Sequence, residues 1–150
     1  PASEPVVSTE GLLRLARRSL EETRLPFHQG MSLTVDAIIR DPQDKQALAR
    51  CTGAQVVEME SYWVGQAARR QGVPFLAVRT VVDGPHDVVP ASLNLVTEGG
   101  SIHGGRALIY ALGHPRDIPN FLRLTRNLAR ASHRLSAFAK EFLTLWSRET

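Results

Sequence analysis

The chain has a single cysteine, Cys51, among its 150 residues. An internal disulfide and a thiolate metal cluster are therefore excluded, and a reducing, cytoplasmic compartment is expected. No run approaches the ~20 apolar residues of a membrane-spanning helix, and residues 1–4 do not resemble a signal peptide. The chain also lacks an initiator methionine, so we expect it to be a fragment or a processed form.

Neither sign of charge dominates, since the net charge is +3 and the pI is near 9.6. An anionic ligand fits this balance, but the dense Lys/Arg clustering of a dedicated nucleic-acid binder is missing. The five histidines have no metal-ligand spacing, so we expect no metal. The glycine pairs at 99–100 and 104–105 do not open a helix after a strand, which argues against a phosphate-binding glycine loop.

Periodicity predicts one α/β domain, in which helices and apolar strands alternate. Helices are expected from a cap at Ser8 or Thr9 to the Leu25-Pro26 pair, from Pro42, with Asp41 as N-cap, to Gly53, from 61 to 70 with Gly72 as its cap, and from 106 to 112. Strands are expected over about 31–39, 55–59 and 75–82, and the last two would form a parallel β-α-β unit around the helix at 61–70. Residues 84–105 are predicted to be a long loop.

The final helix shows the clearest periodic signal. Apolar residues recur at steps of three and four on one face: Phe121, Leu124, Leu128, Ala131, Leu135, Phe138, Phe142 and Leu145. The opposite face is basic: Arg123, Arg126, Arg130, Arg134 and Lys140. Such a basic face is most often simply exposed to solvent.

Carboxylates follow two apolar strands joined by a helix. The triplet Glu58-Met59-Glu60 comes after a pair of valines, and Asp83 ends the run that begins at Val73. Ligands of open α/β sheets bind at the carboxyl ends of strands. The two groups of carboxylates are therefore predicted to face one ligand site.

These segments, with Val35-Asp36-Ala37-Ile38-Ile39 upstream, resemble the purine nucleoside phosphorylase and methylthioadenosine nucleosidase superfamily. Residues 59–61, 90–93 and 116–119 look most like the hopanoid-biosynthesis-associated phosphorylases, which are thought to remove adenine from adenosyl-hopane. The resemblance implies a three-layer, Rossmann-like fold that is incomplete at its N-terminus. Residues 1–150 would then be the C-terminal part of a single domain, without the region that carries the phosphate site or the water-activating acid.

The resemblance also implies roles for individual residues. Asp83 would protonate N7 of the departing purine, and desolvation at the tip of an apolar strand would favour the protonated form that a general acid needs. Glu60 would accept hydrogen bonds from the ribose 2′ and 3′ hydroxyls. Met59 would pack against the sugar, and Glu58 would support the site. Where the family has a serine before the acid, this chain has Val82.

Three further residues complete the predicted site. Ile38 and Ile39 match the positions that flank the base, and they are expected to be core strand residues as well. Arg79 is expected to form a supporting ion pair with an acid such as Glu58. Each assignment has a simpler alternative: Asp83 could belong to an ordinary Asp-Gly turn, and acidic residues at 58 and 60 could stabilise a helix N-terminus.

The expected function is cleavage of the N-glycosidic bond of a purine nucleoside with a bulky 5′ substituent, by phosphorolysis or hydrolysis. No cofactor is expected, and phosphate is a possible co-substrate. The resemblance implies a homo-oligomer such as a dimer, for which Trp63 and Trp146 could provide apolar surface. One alternative is a non-catalytic purine-binding relic or subunit. Another is a basic helix that contacts an anionic surface, including weak peripheral contact with a membrane.

Overall fold

A computed structural model describes residues 4–89, 97–98, 101–102 and 118–149. In these ranges the chain forms four helices and four short strands, a mixed α/β arrangement. Their order is α1 (Glu10–Glu22), β1 (Ser32–Thr34), α2 (Pro42–Thr52), β2 (Val56–Glu58), α3 (Ser61–Arg70), β3 (Thr97–Glu98), β4 (Ser101–Ile102) and α4 (Ile118–Glu149).

Local sequence signals fix both ends of α2, as predicted. The side chain of Asp41 accepts a hydrogen bond of 2.7 Å from the backbone N–H of Gln43, and Pro42 occupies the first turn, where its missing N–H costs nothing. At the other end, Gly53 adopts a left-handed φ of 72°, and its N–H bonds to the carbonyl of Ala49. Helix α2 therefore begins and ends at the residues predicted from the sequence.

Helix α3 also matches its predicted range, and Gly72 ends it through a Schellman motif. Gly72 has a φ of +63°, and its N–H bonds to Arg69 O at 3.2 Å. The N–H of Val73 bonds to Ala68 O at 2.9 Å, which completes the motif. The chain therefore leaves the helix at Gly72 and continues into residues 73–82.

The β-α-β unit differs from the predicted one. Strands β1 and β2 pair in parallel, with Ser32 opposite Val56 and Thr34 opposite Glu58, and α2 is the connecting helix. Strand β1 is shorter than the predicted 31–39, because the chain bends at 36–37. The connection through α2 brings the carboxyl ends of β1 and β2 side by side at Thr34 and Glu58.

The predicted strand at 75–82 is wrong. All of these residues are described, and none belongs to a strand. Phe75 N–H instead bonds to the hydroxyl of Thr9 at 3.0 Å, Ala77 N–H bonds to the hydroxyl of Ser8 at 3.3 Å, and Thr9 N–H bonds to Phe75 O at 2.7 Å. Only one of these three bonds joins two backbone groups, and the other two have side-chain hydroxyls as acceptors, so the bonds do not form a backbone ladder.

Helices α1 and α4 pack against each other and hold much of the described core. Their buried residues are Leu15, Ala16 and Ser19 on α1, and Ala131, Phe138 and Leu145 on α4. The three on α4 are spaced seven apart, so they share one face. Leu128 and Leu135, on the predicted apolar face of α4, are 45% and 38% exposed, so that face is only partly covered.

Several sequence predictions lie outside the described residues. These are the helix at 106–112, the glycine pairs, the stretch 90–93, residues 116–117, and His103 and His114. The predicted loop at 84–105 contains the antiparallel pair β3–β4, with Thr97 opposite Ile102. In the described part of the chain, no helix is long and apolar enough to cross a membrane.

Candidate functional site

The first part of the candidate site is the carboxylate of Glu58, at the carboxyl end of β2. Its side chain is 6% exposed and accepts hydrogen bonds from the hydroxyl of Thr34, from the N–H of Glu60 at 3.0 Å and from the N–H of Ser61 at 2.6 Å. Arg79 forms an ion pair with the same carboxylate. Glu58 is therefore fully engaged by the protein.

The pKa of Glu58 follows from these contacts. Burial opposes the charged form, but the hydrogen bonds from Thr34 and from the backbone of Ser61 and Glu60 outweigh it and lower the pKa from 4.5 to about 2. Two of these donors are backbone N–H groups at the start of α3, where negative charge is favourable. Glu58 thus fits the simpler alternative of a carboxylate at a helix N-terminus.

Glu60 has different surroundings. It is the N-cap residue of α3, but its side chain makes no capping hydrogen bond and is 61% exposed. Its Oε2 accepts a hydrogen bond of 3.0 Å from Arg79 Nη2, and its Oε1 receives none from any residue that the structure describes. Among the described residues, only one of the two carboxylate oxygens of Glu60 therefore has a hydrogen-bond donor.

Arg79 joins the two glutamates to the start of α3, so the ion pair predicted between Arg79 and Glu58 is present. Its Nε and Nη2 also donate to the hydroxyl of Ser61 at 3.0 and 2.8 Å. Thr34 completes the network, because its oxygen accepts the N–H of Tyr62 at 3.1 Å. The sequence reasoning missed Thr34 and Ser61, whose only local signal was their position next to a strand end and a helix start.

Met59, Ile38 and Ile39 lie next to this network in the chain. Met59 is 39% exposed, and Ile38, beyond the bend after β1, is 38% exposed. Ile39 is half-buried. Neither isoleucine is in a strand, in contrast to the expectation for core strand residues.

The second part of the candidate site is centred on Asp83, and its surroundings are not apolar as expected. Asp83 Oδ2 lies 2.5 Å from the ammonium of Lys45, and the Asp83 side chain is 35% exposed. Lys45 also donates to the carbonyl oxygens of Asp87 at 2.8 Å and of Gly84 at 3.3 Å. The carboxylate of Asp83 is thus paired with a cation from α2.

Contacts from α4 hold the same turn. Asp87 accepts the N–H of Gly84 at 2.8 Å, and its other oxygen lies 2.9 Å from Arg123. Asn127 donates to the carbonyl of Val82 at 2.9 Å. The N–H of Asp87 also bonds to the carbonyl of Gly84 at 3.1 Å, the backbone bond of an ordinary turn. Asp83 therefore directly precedes a turn at 84–87 that Lys45 of α2 and Arg123 of α4 hold.

The two parts are separate hydrogen-bond networks among the described residues. They are joined by the backbone from Arg79 to Asp83, which limits their Cα separation to about 14 Å. A cavity of about 360 Å³ lies elsewhere, between the segment at 4–9 and α3, and Gly65, Arg69 and Phe75 line it. None of the predicted site residues lines that cavity.

Comparison with known proteins decides the family. The family model of the phosphorylase superfamily matches residues 1–106. The chain belongs to the phosphorylase superfamily. The match spans β1 to α3 and Asp83, and so contains every residue of both parts of the candidate site except those on α4. No curated protein and no solved structure matches the chain significantly.

Membership of the phosphorylase superfamily supports an α/β nucleoside phosphorylase fold and, in general terms, cleavage of nucleosides. The three-layer arrangement remains a prediction, as do the roles of the individual site residues. No group of three or more His, Cys, Asp or Glu side chains that could hold a metal ion occurs among the described residues.

Proposed function

We propose that this phosphorylase-superfamily chain cleaves the N-glycosidic bond of a purine nucleoside, with Glu60 binding the ribose and Asp83 protonating the base. One observation carries the proposal: Glu60 Oε1 is left without a described donor beside a fully engaged Glu58 and a fixed Arg79. A carboxylate held in this way can accept hydrogen bonds from vicinal hydroxyls.

The proposed chemistry begins with a proton on Asp83. The O–H bond of Asp83 breaks as the purine N7–H bond forms, the N9–C1′ bond breaks, and its electron pair goes to the purine. An oxygen of phosphate or of water then bonds to C1′; with water, one O–H bond breaks, and the released proton replaces the one that Asp83 has given up. A general acid of this kind contributes roughly 10²–10⁴-fold in rate. Phosphate is the co-substrate in the first case, and no further cofactor is needed.

For the 5′ substituent, we propose a bulky apolar group such as the hopanoid chain of adenosyl-hopane. Exposed apolar side chains at the start of α3 support this substrate. Trp63 is 61% exposed and Val64 56% exposed, and Tyr62 packs edge-on against Trp63 with ring centroids 5.1 Å apart. Each CH₂ group buried on such a surface contributes about 0.8 kcal/mol.

Purine release from 5′-alkyl adenosines of increasing chain length tests this function. We expect adenine as product, no uracil from uridine, and kcat/KM that rises with alkyl length. A requirement for phosphate would identify phosphorolysis, and an unchanged rate without it would identify hydrolysis. Binding of the nucleoside without release would support the purine-binding relic instead.

We also propose that the chain acts as a homodimer, with exposed Trp63 as part of the contact. The matched test compares Trp63→Ala with Val73→Ala, since both side chains are more than half exposed. Sedimentation equilibrium should show dissociation of the Trp63→Ala protein alone. A monomeric parent protein would contradict this proposal.

A further inference from the structure

Lys45 is the most tightly held cation near the candidate acid. Its ammonium has three protons and no lone pair, and it has three acceptors: Asp83 Oδ2, Asp87 O and Gly84 O. The Lys45 side chain is 11% exposed, against 35% for Asp83. The cation is therefore more enclosed than the carboxylate that it binds.

The arrangement leaves the two oxygens of Asp83 unequal. Oδ2 is bound to Lys45 at 2.5 Å, while Oδ1 receives no hydrogen bond from the residues that the structure describes. The backbone on either side is held as well, by Asn127 at Val82 and by Lys45 at Gly84. Rotation of the carboxylate would break its bond to the ammonium, so Oδ1 has a fixed direction.

We infer that Lys45 is a positioning residue that acts on the reaction through Asp83. Lys45 holds Oδ2, so that Oδ1 is the oxygen that carries the proton to N7. Lys45 keeps its three protons throughout. The inference rests on the proposed function, since it assumes that Asp83 is the acid.

The competing explanation is that Lys45 only fixes the turn at 83–87. The two explanations differ in their dependence on the leaving group. Adenine needs a proton to leave, whereas 4-nitrophenolate departs from 4-nitrophenyl β-D-riboside without one. A loss of turn structure would slow both substrates, whereas a loss of acid positioning slows only the nucleoside.

The experiment measures kcat and KM of the full chain on both substrates after Lys45→Met and Lys45→Arg. We expect Lys45→Met to lower kcat on the adenine nucleoside by roughly 10–100-fold and to leave the 4-nitrophenyl riboside within about threefold. Lys45→Arg, which keeps the charge, should recover part of the loss. Lys140→Met, at the chain's other lysine, is the matched control and should leave both rates unchanged.

A second measurement guards against a folding defect. Because Lys45 acts through Asp83, adding Lys45→Met to Asp83→Asn should cost little further activity on the nucleoside. Equal losses on both substrates, no loss on either, or fully additive effects in the double variant would overturn the inference. If the parent protein releases no adenine, or Asp83→Asn leaves adenine release unchanged, the proposed function itself fails, which is a different result.

Discussion

Arg79 Nη2 donates a hydrogen bond of 3.0 Å to Oε2 of Glu60. The same guanidinium pairs with Glu58 and bonds to the hydroxyl of Ser61. Glu60 would otherwise be a mobile, exposed side chain at a helix start. The arginine therefore gives one oxygen of Glu60 a fixed position, and the second oxygen has no donor among the described residues.

Replacement of Glu60 should remove ribose recognition. Hydrogen bonds to a charged acceptor are worth about 1.5–3 kcal/mol, so we expect Glu60→Ala to lower kcat/KM on ribonucleosides by roughly 10–100-fold. The parent protein should prefer ribonucleosides to 2′-deoxyribonucleosides, and the variant should lose most of that preference. Steady-state kinetics on both sugars measures it.

The control is Glu149→Ala, because Glu149 is a similarly exposed glutamate that is also paired with an arginine, Arg18. It should keep the sugar preference of the parent protein. A Glu60→Ala protein with undiminished preference for the ribonucleoside would remove Glu60 from the site.

Replacement of Arg79 should affect both binding and stability. Arg79→Met leaves Glu58, which is 6% exposed, without its cation and releases Glu60. Because Arg79 is itself 38% exposed, the expected loss of stability is about 1–3 kcal/mol, less than for a fully buried pair. KM for the nucleoside should rise. Urea denaturation and kinetics measure the two effects, and Arg69→Met, at an exposed pair with Glu4, is the control.

The lowered pKa of Glu58 predicts an acid-dependent loss of stability. The unfolded chain binds this proton near pH 4.5 and the folded chain near pH 2, so the carboxylate stabilises the fold above 4.5 and its contribution disappears as the pH falls towards 2. We expect Glu58→Gln to be less stable than the parent protein by about 1–3 kcal/mol at neutral pH, a range that allows for solvent screening.

Urea midpoints measured at a series of pH values check the direction of this pH dependence. The gap between parent protein and Glu58→Gln should narrow from about pH 5 and close only as the pH falls to about 2. Glu22→Gln removes an exposed i,i+4 partner of Arg18 and should show a much smaller gap. A Glu58→Gln gap that widens in acid would contradict the assigned hydrogen bonds.

Replacement by alanine at two glycines with open surroundings should have opposite effects on the stability of the fold. Gly72 has a φ of +63°, and a Cβ there would meet no atom within 4 Å, so Gly72→Ala should cost about 1–2 kcal/mol from backbone conformation alone. Gly11 lies within α1, also with no atom within 4 Å, and Gly11→Ala should stabilise by about 0.5–1 kcal/mol. Thermal unfolding of the two variants measures both. If both variants were more stable, or both less stable, than the parent protein, the Schellman motif at the end of α3 would be contradicted.

Local signals predicted α2 and α3 well because the residues that end a helix are its sequence neighbours. Asp41, Pro42 and Gly53 fixed α2, and Gly72 fixed the end of α3. The strand at 75–82 was predicted wrongly, since its apolar pattern says nothing about the backbone partner. That partner is the segment at 8–9, more than sixty positions earlier.

The contacts of the site were harder to predict for the same reason. The pair of Arg79 and Glu58 was expected from charge alone. Lys45 was missed because 38 residues separate it from Asp83, and nothing near it in the chain indicates a buried partner. Only two of the 18 basic residues are lysine, and that rarity was the one signal that could have drawn attention to it.

In the proposed reaction, purine departure depends on a proton that Asp83 supplies. The most direct measurement compares adenine release by the parent protein and by Asp83→Asn, with 4-nitrophenyl β-D-riboside as the substrate that needs no proton. We expect Asp83→Asn to lower adenine release by roughly 10²-fold or more and to change 4-nitrophenol release little. Adenine release at the parental rate from the Asp83→Asn protein would contradict it.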